Sequence, residues 1–238
     1  MNTSKGHIHP LSQTVSRINQ IFSEIGFVFA EGPERELIKY NFDSLNVPKD
    51  HPSRDMQDTF YLADAPDLVM RTHTSPVQVR HMLSQQPTIR MICPGKVFRN
   101  EATDATHEAQ FFQIEGLMVD KDISLAHMKG VLEYFFSRFF EGDVEVRFRP
   151  SFFPFVEPGV EVDMKIAKQE GNKLSGKWIE VMGAGMVHPN VLRASGVDPE
   201  VYQGFAFGMG MDRLAVLKYG IEDIRLMYNG DLRFVNQF

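Results

Sequence analysis

The sequence predicts an α+β protein built on one main, largely antiparallel sheet. Two observations carry this. Strand-like runs recur from Phe27 to Met211, several of them joined by short polar loops, with helices placed between them rather than in strict strand–helix alternation. Two longer segments carry apolar residues at three- and four-residue spacing, the mark of a helix with one buried face.

The elements follow in order. Residues 1–9 read as a loose polar tail and residues 10–238 as a single domain. Leu11 to Ile25 is amphipathic, with Val15, Ile18, Phe22 and Ile25 on one side. "GFVFAEGP" reads as a strand stopped at Gly32-Pro33, and Glu34 to Tyr40 as a short helix. Asn46 to Met56 is a loop by composition. "LVMR" is a strand, and "THTSPVQVRHML" starts a helix with Thr74 or Ser75 as cap and Pro76 in its first turn. "IRMICPGKVFRNE" and "QFFQIEGLMVD" are strands flanking a loop. Ser124 to Phe140 is the clearest helix, its stripe running through Leu125, Met128, Val131, Leu132, Phe135, Phe136 and Phe139. Further strands are expected at Val144–Pro150, Glu161–Ile166, Trp178–Gly183 and Phe205–Met211, and a last helix at Asp212–Tyr219. "KQEGNKLSG" reads as a polar hairpin loop.

Composition bounds the function. With 238 residues, 43% hydrophobic and 24% charged, the chain can bury an ordinary core without staples. Cys93 is the only cysteine, which excludes an intrachain disulfide and, with no secretory signal in view, points to the cytoplasm. No run approaches the length of a membrane span. The net charge of -6 argues against a whole-surface nucleic-acid clamp, though not against a local basic groove. Phenylalanine is over-used, at 20 residues against six tyrosines and one tryptophan, which suits a core and equally a pocket for an apolar ligand.

The chemistry concentrates in two stretches. In "FRNEATDATHEAQFFQIEGL", Arg99 and Glu101 are two apart, as are Gln113 and Glu115. Strand side chains alternate, so a hairpin would put all four on one face, with Phe98, Phe112 and Ile114 toward the core. The residues alone leave two readings open, a solvated sheet face or a hydrogen-bonding floor. In "GFAFGMGMDRLAVL", glycines let a strand approach something closely, and the strand runs into a helix opening at Asp212-Arg213. That is either a phosphate site or a glycine-weakened core strand with an exposed arginine. Neither a dinucleotide fingerprint nor a phosphate-loop lysine is present, and "HEAQF" fails as a zinc motif at its last position.

Phe98–Asp120 resembles motif 2 of the class II aminoacyl-tRNA synthetases, Gly204–Leu217 resembles their motif 3, and Leu11–Pro33 resembles motif 1, which builds subunit interfaces. With "RTHTSPVQVR", "FFPFVEPG" and "GAGMVHPNVL" these stretches, collinear from about His9 to the C-terminus, resemble the α subunits of bacterial phenylalanine–tRNA ligases. The resemblance implies activation of L-phenylalanine with ATP and transfer to tRNA(Phe), alongside a β subunit in an α2β2 heterotetramer. It implies that Arg99 contacts the α-phosphate and Arg213 the γ-phosphate. It places Phe111 under the adenine, Glu101 near nucleotide and amine, and His107 near the triphosphate. It places His73, Ser75, Gln78, Gln113 and Glu115 around the amino acid's polar end. Phe153 and Phe155 would flank its ring, with Val156, Ala206 and Gly208 closing the slot. Mg2+ would accompany ATP, with Glu157 as a metal contact near the partner subunit. The chain departs from the family in three ways: no N-terminal helical arm, Tyr61 where tryptophan is frequent, and a longer "KQEGNKLSG" loop.

Overall fold

A computed structural model describes residues 6–47, 49, 59–100, 108–167 and 176–238. Helix α1 (Pro10–Glu24) begins on His9, whose ring nitrogen accepts the Leu11 N–H at 3.2 Å. Its inner face buries Ile18, Ile21 and Phe22 completely. Strand β1 (Val28–Phe29) is shorter than the sequence suggests. The expected helix at Glu34–Tyr40 is a correction: Arg35–Leu37 is strand β2, and only Ile38–Asn41 is helical (α2). A long-range partner overrides the local preference. Glu36 is fully buried and receives a two-pronged hydrogen bond from Arg80 at 2.6 and 2.8 Å. Strands β3 (Tyr61–Leu62) and β4 (Ala65–Met70) complete a small sheet of order β2-β4-β3. Helix α3 (Ser75–Ser84) follows.

The main sheet contains β5 (Ile89–Phe98), β6 (Gln110–Asp120), β7 (Val144–Phe153), β8 (Val156–Ile166), β9 (Ile179–Val187) and β10 (Gln203–Gly210). With β1 they form, among the described residues, a seven-stranded sheet of order β1-β5-β6-β10-β9-β8-β7. Only the β1–β5 pair is parallel, so the predicted α+β class with a mainly antiparallel sheet holds. Helix α4 (Leu125–Phe140) lies between β6 and β7 in the chain. Helices α5 (Pro189–Ala194), α6 (Met211–Tyr219) and α7 (Leu232–Val235) complete the fold, with a 3-10 turn at Ile224–Met227. Of these the sequence reading anticipated only α6.

One face of the sheet is closed by α1 and α4. Met128, Leu132, Phe135, Phe136 and Phe139 of α4 are all fully buried there, with Phe22 stacked on Phe135 at 4.9 Å. Ile114 is buried in the same core and Phe112 packs against it, as the alternation of β6 requires. Among the described residues the other face is covered at one end. There Phe42 and Leu45 with Val77, Val79 and Met82 of α3 pack on Met91, Leu117 and Val119 of β5 and β6. The middle of that face is left as a cavity.

Candidate active site

The β5–β6 register places Gly95 opposite Gln113 and Val97 opposite Phe111, and the Arg99 N–H reaches the Ala109 carbonyl at 2.9 Å. Odd-numbered residues of both strands therefore share one face, and Arg99, Phe111, Gln113 and Glu115 stand on it together. Glu101 and His107 lie outside the described residues. The row through Glu115 continues to Gly208 on β10 and Gly183 on β9. These two glycines form the floor. A Cβ at 208 would come within 3.0 Å of Glu115 Cγ, and one at 183 within 2.9 Å of the Phe153 ring. Removing side chains from two adjacent strands is what lets a carboxylate and an aromatic ring lie down over the sheet.

Above this floor is a cavity of about 310 Å³. Its polar end is made by His73, Ser75, Gln78, Arg99, Gln113 and Glu115. Its apolar end is made by Phe153, Phe155, Val156 and Ala206, with Gly208 beneath. Eleven residues named from the sequence thus meet around one space. Phe111 and Arg213 do not line it. Phe111 is half-buried under the Arg99 guanidinium, 5.1 Å from its ring centre. Arg213 is exposed in the first turn of α6, just after Gly210, which pairs with Gln113.

The polar end is a carboxylate held by neutral donors. Glu115 Oε2 accepts from the Gln78 amide at 2.7 Å and Oε1 from the Thr74 N–H at 3.1 Å. Ser75 adds bonds from its hydroxyl and its backbone. Burial outweighs these donors and pushes the Glu115 pKa up to about 7. The expected cap holds in position but not in chemistry. Thr74 sits at the N-cap position of α3 without a side-chain cap bond, and Ser75 is spent on Glu115. The buried His73 ring donates to the Asn41 carbonyl, and burial pushes its pKa down to about 3. Its Nδ1 has no partner among the described residues, so a neutral ring is left with an acceptor there. The Gln113 side-chain oxygen is likewise buried without a partner. A buried carboxylate with unfilled acceptors beside it suits an ammonium group. Arg99 is fixed by its Nε donating to the Thr72 carbonyl at 3.1 Å.

At the apolar end the Phe153 and Phe155 rings stack on each other, centroids 5.9 Å apart and 21° between planes. Phe153 ends β7, and Phe155 is the second residue of the two-residue turn that joins β7 to β8. Asn46 holds that turn, donating to the Pro154 carbonyl at 2.7 Å from a left-handed backbone position that asparagine tolerates. Sequence reasoning missed Asn46, and also Leu45, Gly183, Ala184, Val187 and Val191, which close the apolar end. The "GAG" within a strand-like run was the signal available for Gly183.

Glu157 does not line this cavity. It is exposed on a neighbouring groove, with His188 Nε2 3.4 Å from its carboxylate. Among the described residues no group of three or more His, Cys, Asp or Glu side chains could cage a metal. A lone exposed carboxylate fits an ion held chiefly by phosphates and water.

Comparison with known proteins gives a consistent result. The family model for the tRNA synthetases class II core domain (F) matches residues 1–238. A phenylalanine–tRNA ligase alpha subunit from Pseudomonas syringae pv. syringae (strain B728a) is 55% identical over 99% of this chain and 70% of its own length. One from Alkaliphilus metalliredigens (strain QYMF) is 56% identical over 98% of this chain and 69% of its own length. Among the described residues no helix is long and apolar enough to cross a membrane.

Proposed function

The chain belongs to the class II tRNA synthetases, within the phenylalanine–tRNA ligase alpha-subunit family, and from that premise we propose that it activates L-phenylalanine with ATP and passes the product to tRNA(Phe). One observation carries the reading: a single cavity joins an aromatic slot to a buried carboxylate and ends at Arg99. Those are the three groups of the adenylation step, a ring, an ammonium and a phosphate-facing cation. Glu115, Gln113, His73, Ser75 and Gln78 receive the amino group and backbone. Phe153, Phe155, Val156, Ala206 and Gly208 take the ring.

The first step brings a carboxylate to an α-phosphate. Both are anions, so the protein's task is to neutralise charge and hold an in-line geometry. No general base is needed, because the attacking carboxylate is already ionised. Arg99 faces the α-phosphate and Arg213 the γ-phosphate, with Phe111 supporting the adenine. Glu101 and His107 complete the nucleotide side in this reading. Glu157 would be the protein contact for a magnesium ion, which would supply charge neutralisation on the triphosphate. We take residues 10–238 as the catalytic domain. We place the chain in the cytoplasm, with a β subunit in an α2β2 assembly; that its relatives are called alpha subunits supports a second kind of subunit.

Phenylalanine-dependent exchange of pyrophosphate into ATP, measured on the chain with and without its β partner, tests the proposal. Exchange is expected to be stimulated most by phenylalanine, with tyrosine weaker on the order of 100-fold. No exchange in the assembled enzyme would sink it. The slot assignment has its own test. Ala206 stands opposite Gly185, at the wall of the apolar end. Trimming it in Ala206→Gly is expected to raise kcat/KM for para-chloro-phenylalanine at least about tenfold, the order of a methyl-sized change in an apolar pocket. Unchanged discrimination against that analogue would reject Ala206 as the wall.

A further inference from the structure

We propose that Asp212 and Tyr228 form a positioning brace for the nucleotide half of the site, so that the C-terminal segment sets the affinity for ATP without touching it. The inference rests on the functional reading above and extends it to residues that reading does not use.

The brace begins where the sheet runs out. Strand β10 pairs with β6 only as far as Gly210 opposite Gln113. The next β6 donor on the β10 side, the part-buried Phe112 N–H, lies past the end of that strand pairing. The Asp212 carboxylate replaces the missing strand, with Oδ2 accepting that N–H at 2.8 Å. A buried backbone donor left unpaired is costly, so this bond fixes where β6 and α6 meet. Phe112 lies between Phe111 and Gln113, and Asp212 precedes Arg213. One carboxylate therefore ties the aromatic platform of motif 2 to the arginine turn of motif 3.

Tyr228 holds that carboxylate. Its hydroxyl donates to Asp212 Oδ1. Burial raises the pKa of both groups, which is the setting in which a paired acceptor matters most. Tyr228 itself is placed by the 3-10 turn, where Ile224 and Met227 are buried against Leu11 and Ala215. His9 Nε2 bonds the Met227 carbonyl at 3.0 Å, one residue before it. Neither Tyr228 nor Asp212 lines the substrate cavity. The brace thus lies outside the amino-acid pocket, and its chain neighbours Phe111 and Arg213 belong to the nucleotide side.

The test compares Tyr228→Phe, Asp212→Asn and the double variant in the assembled enzyme. Phenylalanine removes only the donated hydrogen bond. Asparagine keeps the shape but has a single acceptor oxygen for two donors. In pyrophosphate exchange each single variant is expected to raise KM for ATP about tenfold, the scale of one hydrogen bond to a charged group, with KM for phenylalanine within about twofold. The double variant is expected to be no worse than the worse single, because the two residues act as one unit. ATP binding by equilibrium dialysis, without phenylalanine, is expected to weaken by the same factor. An unchanged ATP affinity, a parallel rise in both KM values, or additive losses would each overturn the brace. If the unaltered enzyme binds ATP but shows no exchange, the functional reading fails while dialysis still decides the brace. If it binds no ATP, both fall.

Discussion

Replacing Arg99 with alanine is expected to lower kcat/KM for phenylalanine-dependent pyrophosphate exchange by about 10²–10³-fold, the usual cost of removing one preorganised group that stabilises transition-state charge. The geometry explains why so much should rest on one side chain. The Arg99 guanidinium is held by its Nε on the Thr72 carbonyl and by its face over the Phe111 ring. The side chain lines the cavity that also holds Glu115. A cation immobilised before substrates arrive needs no reorganisation as charge builds on the α-phosphate. The loss should appear mainly in kcat, because charge repulsion between the two anions peaks at attack. Arg99→Lys is expected to recover little. An ammonium offers no planar fork and cannot hold the Thr72 carbonyl and the Phe111 face while reaching a phosphate. A loss under about threefold in Arg99→Ala would remove Arg99 from the phosphate role.

How far the sequence led to this site depends on the range of the forces involved. Strand β6 is found at the expected Gln110–Asp120, and α4 within one residue of its expected start, because both are set by dense apolar periodicity. The shared face of Arg99, Gln113 and Glu115 follows from alternation once the hairpin pairs in register. What local pattern could not give are the residues placed by distant partners. Arg35–Leu37 becomes strand through β4 and through Arg80, far along the chain from Glu36. Thr74 and Ser75 look like helix caps until Glu115 is known to stand beneath them. Asn46 is an ordinary loop asparagine until it meets Pro154. Gly183 matters only because Phe153 lies on it. Tyr228 belongs to a C-terminal stretch with no motif at all. In each case the deciding contact joins segments that no window of sequence contains.

Glu115 should make phenylalanine binding depend on pH, and Glu115→Gln should abolish that dependence while lowering kcat/KM for phenylalanine by about 10- to 100-fold. Burial holds the Glu115 pKa at about 7. A substrate ammonium needs the ionised form, so below that value each bound ligand must first displace a proton. Apparent affinity is expected to be near its plateau at pH 8 and about tenfold weaker at pH 6, the change set by one group titrating near 7. The same shift has a stability consequence of opposite sign. The folded-state pKa is raised above the ordinary 4.5, so between those values the fold keeps a proton that the unfolded chain releases. Glu115 therefore costs stability as pH rises from about 4.5 through about 7, by roughly 3 kcal/mol at most. His73 acts in the other direction. Its pKa is depressed to about 3, so the fold loses stability as pH falls below the ordinary histidine value. The two are separated by comparing unaltered protein with Glu115→Gln in denaturant melts at pH 5 and pH 8 without phenylalanine. The variant is expected to gain stability relative to the unaltered protein at pH 8 and to lose that advantage at pH 5. Equal relative stability at both pH values, together with a flat pH profile for phenylalanine binding by the unaltered enzyme, would mean that Glu115 is ionised throughout and that its donors, not burial, govern its charge.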